Sequence, residues 1–358
     1  MRYFISLSYD GGSFCGWQSQ PNAVTVQDSI EKALSALLRC RTSVTGAGRT
    51  DSGVNAWGYA AHFDFEGPLD TEQIRYKLNA ILPRGIVVHD VLPVSSALTD
   101  SHGAEFHARF SATRREYTYF LNRVKDPFVE KYSLFYTFPL DFEAMNRAAA
   151  LLVGTHDFSC FQKLGSDTKT SICTVTEAFW KPYTPSHIAV MGAPAPLPGE
   201  LGGDAAMGAS TPLPGELSSN CARLSSSSGR PVAYSGLARP QAANPEASSR
   251  PSPANTALSD AVHGGPSTAN SALSDAVPGG MSQTDPSLSD CGEDYWYFRI
   301  SADRFLRDMV RAVVGSLLEV GRGKRSVDDF SRLLDGGSRS SAGESVPGHP
   351  LFLSKVKY

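Results

Sequence analysis

The 358-residue chain predicts an α+β protein of two similar lobes. Three observations carry this. A strand–helix–strand pattern occurs twice, meandering strands lie between the two occurrences, and a low-complexity block falls between two strands of the second lobe. The lobes are drawn as residues 1–110, and as 111–190 together with 293–358, with an insertion at 191–292.

The elements follow in order. "YFISLSY" (3–9) alternates as a strand with Tyr3, Ile5, Leu7 and Tyr9 on one face. "TVQDSIEKALSALL" is a helix. Thr25 with Asp28 three residues on makes a capping-box pattern, and Val26, Ile30, Leu34, Leu37 and Leu38 form the apolar stripe. "TSVTGAG" (42–48) reads as a strand running into a glycine turn, and "YAAHFDF" (59–65) as the strand leaving it. A helix near 71–82, a strand at 86–92 and the alternating strand "REYTYFLNRV" (115–124) come next. "FEAMNRAAALLVG" (142–154) is helical with a glycine stop, and "CTVTEAFW" (173–180) is a strand. Beyond the insertion, "YWYFRIS" (295–301) is a strand leading into the most hydrophobic helix, "FLRDMVRAVVGSLLEVG" (305–321). Phe305, Met309, Val313, Leu317 and Val320 line one side of that helix. A short helix from Ser326 to Asp335 and a strand near 351–357 close the chain.

The insertion is different material. "MGAPAPLPGEL" (191–201) recurs as "MGASTPLPGEL" (207–217), and "ANTALSDAVHGG" (254–265) as "ANSALSDAVPGG" (269–280). The copies are short and rich in Pro, Gly, Ser and Ala, with little to bury, so the block is predicted to be disordered or a loose surface loop.

Composition bounds the partners. A content of 41% hydrophobic and 19% charged residues fits a globular chain carrying polar low-complexity material. No run of about 18 apolar residues is present, so no membrane span is expected. The start lacks the apolar region and cleavage site of a signal peptide. The six cysteines (Cys15, Cys40, Cys160, Cys173, Cys221, Cys291) form no C-x-x-C pair. That argues against a structural zinc site or a disulfide framework, and for the reducing cytoplasm. The net charge of −3 hides heterogeneity. Residues 184–292 hold four basic and eight acidic residues, so 29 of the 33 basic and 28 of the 36 acidic residues lie elsewhere. A basic, nucleic-acid-binding face is therefore compatible with the ordered part.

The chemistry concentrates in "GAGRTDSGVN" (46–55). Gly46, Gly48 and Gly53 let the backbone turn tightly and a flat ligand approach. Asp51 there is either a turn residue accepting nearby N–H groups or an oriented carboxylate for nucleophilic or general-base work. Arg49, two residues away, is of the type that keeps a carboxylate ionised. Tyr117 in its alternating strand reads equally as packing, and Arg311 on its apolar helix as a snorkelling or salt-bridged charge. His62, His107 and His156 share no metal-ligand spacing. Trp17 and Trp57 are packing residues or stacking platforms. Arg109, Arg114, Arg115, Arg322, Lys324 and Arg325 are solvated charges or phosphate contacts.

Taken together the motifs carry a resemblance. "GAGRTDSGVNAWGYAAHF" resembles the signature of the tRNA pseudouridine synthase A family. "YDGGSFCGWQSQP" (9–21), "FHARFSATRREYTYFL" (106–121), "GTHDFSCF" (154–161), "FLRDMVRAVVGSLLEVG" and the closing "LFLSKVKY" resemble it in the same order. The likeness covers roughly residues 1–183 and 293–358. It implies the pseudouridine synthase fold, with two ferredoxin-like lobes of antiparallel sheet flanked by helices and an active-site cleft between them. It implies isomerisation of uridine to pseudouridine at positions 38, 39 and 40 of the tRNA anticodon stem-loop, without cofactor or metal, by a homodimer that clasps tRNA. Carried over by motif, Asp51 matches the catalytic aspartate and Arg311 an active-site arginine. Tyr117 matches the tyrosine that contacts the target base, and Arg49 the basic residue before the aspartate.

Those roles are chemically coherent. The C1′–N1 bond breaks, the base turns, and C1′ joins C5, so positive charge builds on the sugar. A carboxylate can stabilise that charge, trap C1′, or assist proton abstraction. The base must first leave its stack, and an aromatic ring can replace the lost stacking. This sequence departs from the family pattern at Asn55, where histidine is usual, at Glu116, where a second basic residue is usual, and at Pro350, where glycine is usual. Two other readings use the same residues: a catalytically silent tRNA-binding or RNA-chaperone protein, and an RNA-directed glycosidase or hydrolase.

Overall fold

Alternation and capping place most elements where the pattern predicts. In chain order they are β1 (Arg2–Tyr9), α1 (Val26–Leu38), β2 (Val44–Gly46), β3 (Asn55–Asp64), α2 (Thr71–Ile81), β4 (Ile86–Val94), β5 (Arg114–Asn122), β6 (Leu134–Phe135), α3 (Phe142–Ala150), β7 (Gly154–Asp157), β8 (Ile172–Pro182), α4 (Ser186–Met191), β9 (Tyr295–Ala302), α5 (Met309–Gly321), α6 (Val327–Ser331) and β10 (Leu351–Lys357). The computed structural model describes residues 1–95, 99–100, 103–163, 165, 170–191, 294–336 and 338–358. Apart from Met191, the repeat-bearing block expected to be disordered lies outside the described residues.

The strands form one mixed sheet in the order β4-β1-β3-β10-β5-β9-β8-β7, with β2 on β3 and β6 on β5. Neighbours are antiparallel except at two places, β5 with β6 and β3 with β10. Only Phe352↔Asn55 and Leu353↔Ala56 pair across the β3–β10 joint. The last strand of the chain thus sits in the middle of the sheet, between β3 and β5. β8 and β9, which flank the insertion, pair antiparallel to the level of Pro182↔Trp296.

Side-chain alternation decides which face is covered. Tyr3, Ile5, Leu7 and Tyr9 of β1 are buried, as are Val26, Ile30 and Leu34 of α1 and Ile74 and Leu78 of α2. In the other half, Tyr117, Tyr119 and Leu121 of β5 join Phe298 and Ile300 of β9, with Met145 and Ala148 of α3, in the same core. The Thr25 hydroxyl accepts the Asp28 N–H at 3.2 Å and donates to its carboxylate at 2.8 Å, fixing the start of α1.

Three expectations change. The helix expected over 305–321 begins at Met309, because Asp308 adopts a left-handed backbone (φ 67) that a helix cannot continue through. Phe305 therefore leaves the helical stripe and meets the Tyr117 ring edge-on, centroids 5.0 Å apart. Asp308 gives α5 no side-chain cap. Burying Met309, Val313 and Leu317 contributes roughly 1.5–3 kcal/mol each, which outweighs the ~1 kcal/mol of a missing cap. The helix expected over 326–335 is α6 followed by a 3-10 turn at 332–334. Strand β7, with Gly154 at φ +124, was hidden by its shortness and polar sequence.

Asn55, where histidine is usual in the family pattern, supplies a cross-link between distant segments. It is buried. Its Oδ1 accepts the Gly11 N–H at 2.8 Å, and its Nδ2 donates to the His349 carbonyl at 2.7 Å. One side chain thereby ties the turn after β1 to the segment entering β10. Asn55→Ala leaves both backbone groups without that partner and is expected to cost about 2–3 kcal/mol. A fall in the urea midpoint at unchanged slope checks this, and an unchanged midpoint would contradict it.

Candidate active site

The loop from Ala47 to Val54 carries Asp51, and a buried aromatic cluster supports it from beneath. Trp17 stacks on Tyr59 with centroids 4.2 Å apart, and Tyr9 meets Tyr59 edge-on at 5.4 Å. The Tyr59 hydroxyl donates to the Gly48 carbonyl, and the Tyr9 hydroxyl meets Thr50 Oγ1 at 2.9 Å. Trp17 is thus packing, while Trp57 is 74% exposed on β3. Two of the three glycines have distinct reasons. Gly53 sits at φ +76, where an L side chain is strained. A Cβ on Gly46 would collide with the Tyr59 hydroxyl and the Trp17 ring.

Arg115 straps this loop to the second half of the sheet. Its guanidinium donates to the carbonyls of Ala47 (3.0 Å), Asp303 (2.8 Å) and Arg109 (2.7 Å). It is therefore engaged within the protein rather than offered to phosphate. Arg325 is likewise engaged, with Glu319 and the Ser341 carbonyl. Arg322 lies over the Phe138 ring at 4.0 Å. Arg109 and Lys324 are exposed and Arg114 half-buried.

Asp51 sits at the meeting of the two halves. Arg307 Nε lies 3.7 Å from its Oδ1, and Arg311 Nη1 lies 3.9 Å from its Oδ2. Both distances are too long for hydrogen bonds. Among the described residues no hydrogen bond involves the Asp51 carboxylate. Burial raises its pKa above the usual carboxylate value, and the charge of Asp308 adds to the rise. Arg311, Arg307 and Lys163 oppose it. Tyr117 is buried nearby, its phenol pushed up by burial, eased by Arg115 and raised further by the charge of Asp51. Among the described residues its hydroxyl makes no hydrogen bond.

The structure therefore brings Asp51, Arg311 and Tyr117 together and leaves Arg49 apart. Arg49 is exposed and belongs to no ion pair among the described residues. Of the two cations expected to keep Asp51 ionised, Arg311 is beside it and Arg49 is not, and Arg307 joins Arg311 there. Arg307, Asp308 and Lys163 were not singled out from the sequence. No local signal points to Arg307, since the turn at Asp308 places it outside α5.

His62 is buried, with Nδ1 accepting the Ala108 N–H at 3.1 Å, and burial together with Arg2 lowers its pKa to about 4. It is a structural group. Among the described residues no cluster of three or more His, Cys, Asp or Glu is arranged to hold a metal ion. No helix among them is long and apolar enough to cross a membrane. A separate cavity of about 400 Å³ is lined by Cys160, Lys324, Arg325 and Arg332 and includes none of the residues around Asp51.

Residues 244–358 match a family model described as tRNA pseudouridine synthase. The whole chain is similar to the tRNA pseudouridine synthase A of Bacteroides fragilis, 35% identical over 358 residues, covering 100% of this chain and 96% of that protein. It is also similar to the enzyme of the same description from Parabacteroides distasonis, 35% identical over 360 residues, with 100% and 96% covered. The corresponding protein of Porphyromonas gingivalis is 33% identical over 359 residues, with 100% and 97% covered.

A raised pKa for Asp51 has a consequence for stability. Its folded value lies above its unfolded one, so the associated stabilisation is present below the unfolded pKa and is lost as pH rises through the folded pKa. At neutral pH the ionised carboxylate therefore destabilises the fold. Asp51→Asn is expected to raise the melting temperature at pH 7 by a few degrees at most, since 1 kcal/mol is worth about 2–4 °C in a protein of this size. The gain should vanish near pH 3, close to the ordinary carboxylate value of ~3.9. A lower melting temperature for the variant at pH 7 would contradict it.

Proposed function

The chain belongs to the tRNA pseudouridine synthase A family, and we propose on that basis that it isomerises uridine to pseudouridine at positions 38, 39 and 40 of the tRNA anticodon stem-loop, with Asp51 as the reacting carboxylate. The single observation that carries the residue assignment is the state of Asp51. It is a part-buried carboxylate flanked by two arginines within 4 Å, hydrogen-bonded to neither, beside the buried ring of Tyr117.

The reaction breaks C1′–N1, forms C1′–C5, removes the proton of C5 and leaves N1 protonated, so substrate and product are isomers. Charge develops at C1′ as the glycosidic bond opens, and an anionic oxygen without a hydrogen-bonded counter-ion is free to meet it. Arg307 and Arg311 keep that oxygen ionised from a distance, against the pull of burial. Tyr117, held edge-on by Phe305, offers a ring against which the flipped base can rest. Its hydroxyl, without a hydrogen bond among the described residues and near enough to feel the charge of Asp51, is suited to carry the proton of C5. Arg49, exposed on the same loop, is suited to the RNA backbone rather than to Asp51.

Two copies are proposed to clasp one tRNA. Support comes from the sheet face turned away from the helices, where Phe120 meets Phe352 at 5.5 Å and Tyr297 at 6.5 Å, and Tyr297 meets Phe179 at 6.0 Å. Such an aromatic strip suits burial against a second copy. A cytoplasmic setting fits Cys15, Cys40, Cys160 and Cys173, all free thiols.

Tritium release from tRNA carrying 5-³H-uridine tests the reading. The wild type should release tritium and yield pseudouridine, while Asp51→Ala should lose turnover by on the order of 10⁴-fold and still bind tRNA. Tight binding without release by the wild type would remove the activity. Free uracil would replace it with a glycosidase, and an active Asp51→Ala would remove Asp51 from its role.

A further inference from the structure

Arg311 cannot close on Asp51, because Asp308 already holds it. Nη1 of Arg311, the atom 3.9 Å from Asp51, lies 2.9 Å from Asp308 Oδ1. The same guanidinium is pinned a second time where its Nε donates to the Val346 carbonyl at 2.6 Å. Asp308 is itself fixed, since its other oxygen accepts the hydroxyl of Ser345, which in turn accepts Nη2 of Arg339 at 2.9 Å. A move of Arg311 onto Asp51 would break both anchors.

The use of Asp308 is unusual for an aspartate at the start of a helix. Such a residue ordinarily accepts N–H groups of the first turn. Here it caps nothing, adopts one of only three left-handed non-glycine backbones among the described residues, and turns a largely buried side chain to Arg311 and Ser345. Strained backbone of this kind gathers at functional sites.

We propose that Asp308 is a positioning residue for the isomerisation: it draws the Arg311 guanidinium off Asp51, so that the reacting carboxylate enters the reaction without a hydrogen-bonded counter-ion. This rests on the function proposed above. Asp51 faces Arg307 from the turn before α5, Arg311 from α5, Lys163 from the segment after the turn at 159–161, Tyr117 from β5, and Asp308. Of these, Asp308 alone is a second carboxylate. Arg307, 58% exposed, remains able to shift as substrate enters, whereas Arg311 does not.

Asp308→Asn in the full chain separates charge from shape. Asparagine tolerates the left-handed turn and keeps an acceptor for Ser345, but it lacks the charge that competes for Arg311. With one of the two anchors on Arg311 weakened and a negative neighbour gone, Asp51 holds its ionised form to lower pH. Tritium release measured between about pH 4 and pH 8 should show kcat lowered roughly ten- to a hundredfold, with KM for tRNA within about twofold of wild type. The acid limb of kcat should move to lower pH. Ser345→Ala, which keeps the charge but loosens it, should lower kcat in the same direction by less, and it carries the test should Asp308→Asn not fold. Wild-type kcat and an unmoved acid limb in Asp308→Asn would overturn the proposal. So would a fall in kcat with the limb unmoved, which marks a merely structural turn, or, in Ser345→Ala, wild-type kcat. A wild type that releases no tritium refutes the function itself, which is a different outcome.

Discussion

The last strand of the chain, β10, is clamped between β3 and β5, and the active site exists because it is. Two residue pairs join β3 to β10, while a longer antiparallel ladder joins β10 to β5. That arrangement sets the Asp51 loop, which precedes β3, against the start of α5, some 260 residues later in the sequence. Asn55 and Arg115 reinforce the same joint from two sides. Asn55 bonds the turn after β1 to the segment entering β10, and Arg115 bonds the Asp51 loop to Asp303 beside β9. Loss of register at this joint would separate the carboxylate from its arginines without unfolding either half's own helices.

At the joint the protein balances opposing electrostatic demands. A buried carboxylate resists ionisation, and two arginines favour it. Hydrogen-bonded salt bridges would have satisfied the charge most fully, yet these ion pairs stop at 3.7 and 3.9 Å. Arg311 lies closer to Asp308, at 2.9 Å, than to Asp51. The left-handed turn at Asp308 is what makes this possible, at roughly 1–2 kcal/mol for a non-glycine residue, and the buried apolar side of α5 offsets it.

Much of this fold is legible in the sequence, because period and caps act locally. Tyr3, Ile5, Leu7 and Tyr9 alternate and are buried; Thr25 and Asp28 mark a helix start and make it. Asp51, Tyr117 and Arg311 were named from motifs and do meet. What stayed hidden depends on contacts between distant segments. Nothing local says that Asp308 breaks the helical pattern of "FLRDMVRAVVG", so the pattern places Phe305 on the helical stripe and does not distinguish Arg307. Arg49 is close to Asp51 in sequence but not paired with it, whereas Arg311 reaches it from α5 and Arg307 from the turn before α5. Arg115 and Arg325 read as candidates for phosphate, since a sequence does not show which guanidinium groups the protein's own carbonyls and carboxylates already occupy.

The claim on which the rest stands is that Asp51 is held ionisable by ion pairs too long to be hydrogen bonds. A carbon-13 NMR titration of its carboxyl group in the free protein measures this directly. The midpoint is expected above the ordinary aspartate value of ~3.9, as burial and Asp308 require. A midpoint below that value would show a carboxylate already engaged by its arginines and would contradict the account.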